Sequence, residues 1–103
     1  MIENDIRSLL NAPRDGGDAP SLELLEHTLT AGYARAMALE AEQSRLQRRI
    51  ADVAMQLAEG GGSASSELQK LGERLQQADS ELGRLRGLLA SLRSRAADVR
   101  TAA

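Results

Sequence analysis

Residues 46–75 read LQRRIADVAMQLAEGGGSASSELQKLGERL, and this stretch decides the fold. Before the break, apolar side chains fall at Leu46, Ile50, Val53 and Leu57; after it they fall at Leu68, Leu71 and Leu75. Steps of three and four put them on one face of a helix. Between them, GGGSAS (residues 60–65) interrupts the helix, because glycine costs a helix roughly 1 kcal/mol relative to alanine. The stretch therefore reads as the end of one helix, a loop and the start of another.

The same spacing continues outward in both directions. Upstream, the stripe is Leu22, Leu25, Leu29, Gly32, Ala36, Leu39, Gln43 and Leu46, running on to Leu57. Downstream it is Leu68, Leu71, Leu75, Ala78, Leu82, Leu85, Leu89, Leu92, Ala96, Val99 and Ala103. An unbroken three-four repeat is the seam of a coiled coil. The boundaries are marked as well. Ser21 can cap a helix over 21–59, with Glu23 and Glu26 near its positive end. Gly60 stands where a helix C-terminus wants a left-handed residue. Ser66 and Gln69 fit a capping box, which predicts a second helix over 66–101. The fold class expected is all-α, an antiparallel two-helix coiled-coil hairpin over residues 21–103 that dimerises into a four-helix bundle.

Folding back about the glycines sets Leu57 against Leu68, Ile50 against Leu75, Leu46 against Ala78 and Leu39 against Leu85. Ala36 then meets Leu89, Gly32 lies near Leu92, and Leu29 meets Ala96. Along one flank Glu26 falls opposite Arg100, Tyr33 opposite Arg93, Glu40 opposite Arg86 and Gln47 opposite Asp79. The other flank sets like charges together, Glu42 near Glu81 and Arg49 near Arg74. Gln43 is the large polar residue of the seam, placed to specify register or to snorkel outward. Two helices sharing one seam bury little, so self-association or a protein partner is expected.

The outward faces supply candidate partner-binding residues. Gly83, Gly87, Ala90, Ser94, Ala97 and Thr101 form a strip of small uncharged side chains on the second helix. Leu24, Ala31, Met37, Ala38 and Ala41 face outward on the first. Together they read as a docking surface at the open end, since exposed apolar patches usually have a use. The loop end, with Arg45, Arg48, Asp52, Lys70, Glu73 and Gln76, reads as polar. Residues 1–20 stand apart. Ile2, Ile6, Leu9 and Leu10 make a short amphipathic stretch, followed by the linker APRDGGDAP at residues 12–20. The stretch is too short to be a stable helix alone. It is expected to fold onto the open end, to bind a partner groove, or to fray.

Composition agrees with long helices. The 103 residues include one Tyr and no Phe or Trp, so the apolar content is mostly Leu and Ala. Net charge is −2, which gives no bulk field for nucleic acid or membrane. It is unevenly spread, six Arg against ten acids in residues 1–60 and seven Lys and Arg against five acids in 61–103. The absence of Cys excludes disulfides and thiol chemistry. No run approaches a membrane span, and the acidic start MIENDIRSLL is unlike a signal peptide, so a cytoplasmic protein is expected.

No catalytic residues, metal ligands or cofactor are expected. The one His, His27, has Glu23 four residues before it, but a Glu-x-x-His di-iron pattern would need Glu where Leu24 stands. GGGSAS lacks the Lys and the preceding strand of a phosphate loop. Arg86, Arg93 and Arg100 recur every seven residues opposite Glu40, Tyr33 and Glu26, so they are better read as a ladder between helices than as a nucleic-acid surface. In size and central break the chain resembles the secreted WXG100 helical hairpins, but the Trp-x-Gly of that break is missing. Glu40 and Ser44 are similar to the start of the Glu-x3-Ser-x2-Arg-x3-Gln-x3-Asp pattern of hairpin anti-sigma factors, with Gln47, Ala51 and Met55 where Arg, Gln and Asp would follow. Membership of either family does not follow.

The function expected is a self-associating helical-hairpin adaptor or scaffold, whose partner is itself as a homodimer or another helical protein. The alternative is a regulator that sequesters a transcription or secretion partner.

Overall fold

The computed structural model describes residues 1–102; Ala103, the last step of the second stripe, lies outside the described residues. Three helices follow in order, α1 (Ile2–Asn11), α2 (Leu22–Ala58) and α3 (Ala64–Ala102), and no strand occurs among the described residues. None of the described helices is long and apolar enough to cross a membrane.

The ends of α2 are fixed by the residues the sequence marks. The Leu24 amide donates to Ser21 Oγ at 3.1 Å, so Ser21 caps the N-terminus. At the other end Gly60 takes φ +89, its amide donates to the Leu57 carbonyl at 3.0 Å, and the Gly61 amide donates to the Gln56 carbonyl at 2.9 Å. That pair of bonds is a Schellman motif.

The start of α3 differs from expectation. Ser66 is not its cap, because the helix begins at Ala64, and the Ser63 carbonyl accepts from the Glu67 amide at 3.2 Å. The reason lies in packing: Ala64 continues the stripe one step before Leu68 and is buried in the same core cluster as Val53, Leu46 and Leu71. Extending the helix by two residues gains that burial.

The chain divides into two compact units, Met1–Met37 with Gly83–Ala103, and Ala38–Leu82. In the second unit, Leu46, Val53, Ala64 and Leu71 form the core, with Ile50, Leu68 and Leu75 packed against it at partial exposure. Polar contacts cross from α2 to α3. Arg49 donates through Nε and a terminal nitrogen to Glu67 Oε1 at 2.9 and 2.6 Å, and Gln43 Nε2 donates to Asp79 Oδ1 at 2.5 Å. The later residue on α2 thus meets the earlier residue on α3. Two expectations are corrected here. Arg49 turns to Glu67, two turns before Arg74 on α3, where its long side chain finds an opposite charge. The Asp79 carboxylate is taken by Gln43 rather than by Gln47, and of the two readings of Gln43 the outward one fits, since its half-buried side chain leaves the seam for that bond.

In the first unit Leu25, Leu29, Ala36, Leu85, Leu89, Leu92 and Ala96 are buried, as their stripes require. Arg100 donates to Glu26 Oε1 at 2.6 Å, the pairing expected from the register. Contacts between α2 and α3 run in opposite order here too, Glu26 with Arg100 and Gly32 with Leu89. The space beside Gly32 is filled by Leu89 and by Ile6 of α1, where the register placed Leu92. Glycine leaves a notch, and α1 enters it.

Candidate interaction surface

For α1 the sequence left three readings open, and the one that fits is folding onto α2 and α3, with Ile6 beside Gly32 and Leu10 beside Arg95. Helix α1 has ten residues, and its N-cap, Met1, makes no side-chain hydrogen bond. It stops at Ala12, which is extended (φ −72, ψ 158) ahead of Pro13, as a residue before proline prefers. Ile6 is fully buried, while Ile2, Leu9 and Leu10 are half-buried. A Cβ built on Gly32 would lie 3.5 Å from Ile6 Cδ1. Glu3 Oε1 lies 3.5 Å from Arg84 Nε, and Arg95 reaches Leu10, so α1 runs in the direction of α3.

Arg95 closes the C-terminal end of α1. Its guanidinium donates to the Leu10 carbonyl at 2.7 Å, to Ala12 at 2.6 Å and to Pro13 at 3.0 Å. The Leu10 carbonyl is one that a helix end leaves without a partner, the Ala12 and Pro13 carbonyls belong to the chain leaving the helix, and a cation there also meets the negative pole of α1. Arg95 is 7 % exposed. Thr28, equally buried, donates its hydroxyl to the Leu24 carbonyl at 2.9 Å. Sequence reasoning missed both residues. The signal available was that Arg95 stands outside the seven-residue ladder of Arg86, Arg93 and Arg100.

The expected docking residues separate into groups. Gly83, Gly87, Ala90, Ser94 and Ala97 are exposed along α3, and a Cβ added at Gly83 or Gly87 would meet nothing within 4 Å. Leu24, Ala31 and Met37 are exposed in the same unit, with Met37 at 69 %. Ala38 and Ala41 are exposed in the other unit. Helical spacing puts Leu24 and Ala31 beside Thr28, on the flank that α1 approaches. Gly83, Ala90 and Ala97 stand on the outer side of α3, next to Arg86, Arg93 and Arg100, and Ala90 also reaches the groove at the end of α1. The two strips are not one surface, because α1 lies between them. Ile6 does not belong to an open surface at all, since its side chain is spent inside the unit.

Ala90 and Ser94 also edge a shallow groove beside the end of α1, with Leu10, Arg14, Arg95 and Asp98. Arg14 and Asp98 approach to 3.9 Å there, both well exposed. At the loop end the surface is less polar than expected: Met55 is 64 % exposed and Leu57 43 %.

His27 is exposed, and among the described residues no three His, Cys, Asp or Glu side chains gather as a metal site would require. No protein-family model, curated protein or solved structure matches this chain.

Proposed function

We propose that this chain is a non-catalytic protein–protein interaction module, an antiparallel coiled-coil hairpin of α2 and α3 that self-associates toward a four-helix bundle. The opposite order of contacts within each unit supports the hairpin. The observation that carries self-association is the open strip of α3. Each helix-internal glycine costs about 1 kcal/mol relative to alanine, and nothing in a single chain approaches Gly83 or Gly87 closely enough to offset that. A second helix lying against the strip would use the close approach that glycine permits.

Sedimentation and light scattering across a dilution series test the reading. The expected result is a dimer with a dissociation constant tighter than about 1 mM, or roughly 4 kcal/mol of association free energy. Gly87→Leu should keep the helicity and lose the dimer. A monomer at all accessible concentrations, or unchanged association in Gly87→Leu, would count against the proposal. The alternative, in which residues 1–11 recognise a foreign partner, first requires α1 to leave its place, because Ile6 is fully buried.

A further inference from the structure

We propose that α1 is an intramolecular latch, held shut by Arg95, which limits how much of the α2–α3 surface a second copy can cover. This rests on the self-association reading and names its regulation.

The latch is built to release. Its ten residues fall short of the roughly 12–15 at which a helix is even marginal alone. It has no side-chain N-cap, and one of its side chains, Ile6, is fully buried. Three carbonyls at its far end depend on one side chain of another helix, Arg95. The dependence is mutual, since with α1 gone the guanidinium returns to water, and without the guanidinium the carbonyls lose their donor. The connection to α2 allows movement without unfolding it. Residues 13–18 are exposed and Gly16 sits at φ +91. After release the tether keeps α1 at an effective concentration of order mM, so closure is reversible.

The occupant that the released surface suits is a second copy. A stable interface takes about 800 Å² from each partner, some 20–30 residues a side. The α3 strip, made of Gly, Ala and Ser, offers only small side chains, so the dimer it supports while α1 is shut is a weak one. Ala90 and Ser94 border the groove at the end of α1. Removing α1 therefore extends the accessible face from Ala90 and Ser94 past Arg95, and uncovers the apolar notch beside Gly32 that Ile6 fills.

The test uses full-length Arg95→Met, which keeps an apolar stem but no donor, and Ile6→Ala, which weakens the same docking from the other side. Amide exchange over residues 6–11 reports the latch, and sedimentation across a dilution series reports association. We expect protection in α1 to fall about tenfold or more in both variants, and the dimer dissociation constant to tighten by about tenfold. Unchanged protection in both variants overturns the latch. Lost protection with unchanged or weaker association overturns its control over self-association. Tighter association in these variants alongside unchanged association in Gly87→Leu upholds the latch while removing the small-residue strip as the contact.

Discussion

Gly32→Ala compared with Gly72→Ala separates two roles of glycine in one fold. Both residues lie inside long helices, so each substitution gains about 1 kcal/mol of helix propensity. A methyl group at position 72 meets nothing within 4 Å, and the gain should appear in full. At position 32 the Cβ would run into Leu89 Cδ2 and stand 3.4 Å from Leu89 Cγ. The Leu89 tip cannot swing into solvent, because that residue is 3 % exposed, and Ile6 closes the far side. Overpacking of this kind costs about 1–3 kcal/mol, so Gly32→Ala should range from neutral to about 2 kcal/mol destabilising. The gap between the variants equals the overpacking cost, and at about 4–8 °C per kcal/mol it amounts to at least about 4 °C in Tm. Thermal unfolding followed by circular dichroism, at matched protein concentration, reads it directly. Equal stabilisation by both substitutions would refute the close packing of Leu89 against Gly32.

Leu85, fully buried on the seam, offers a harsher check. Leu85→Asp places an uncompensated charge in the apolar row and should abolish most of the helical signal at 25 °C. A helical, cooperatively melting Leu85→Asp would mean that the two stripes do not hold the fold. The loop gives a paired prediction. Gly60→Ala forces a Cβ into positive φ and should cost about 1 kcal/mol or more, whereas Ser66→Ala should change stability by less than about 0.5 kcal/mol because Ser66 caps nothing. Urea unfolding of the two variants decides between the Schellman loop observed and a helix starting at Ser66.

What the sequence made legible follows from how local each signal is. The stripe positions needed only the helical repeat, and among the described stripe residues Leu57 is the one left exposed. The caps at Ser21 and Gly60 needed only a side chain or a φ angle within four residues. The start of α3 failed because two criteria competed: Ser66 offered a local cap, while Ala64 offered burial in the same core cluster as Val53 of the other helix. Burial across helices does not show in a window of ten residues. The partners of Arg49 and Asp79 differ from the register for a related reason. A heptad diagram fixes Cβ positions, but long polar side chains choose among several partners a turn apart.

The place of α1 stayed open among three readings because residues 1–11 show an apolar side but not what it packs against. Its effect is visible in the burial of the seam. In the unit that contains α1, Leu25 and Leu92 are 1 % exposed or less, and Leu29 and Leu89 stay buried. In the unit without it, the same three-four repeat leaves Ile50, Leu68 and Leu75 partly open and Leu57 exposed. The contrast is one of degree, since Leu22 and Val99 stay half-buried beside α1 while Val53, Leu39 and Leu82 are closed without it. A third helix from the same chain adds to the shield at one unit, around Gly32 and Leu89. Any association that covers a seam must therefore either displace α1 or act where α1 is absent. A variant that releases α1 should change association only if the contact lies at its own unit, which is why exchange at residues 6–11 and the dimer constant have to be measured on the same samples.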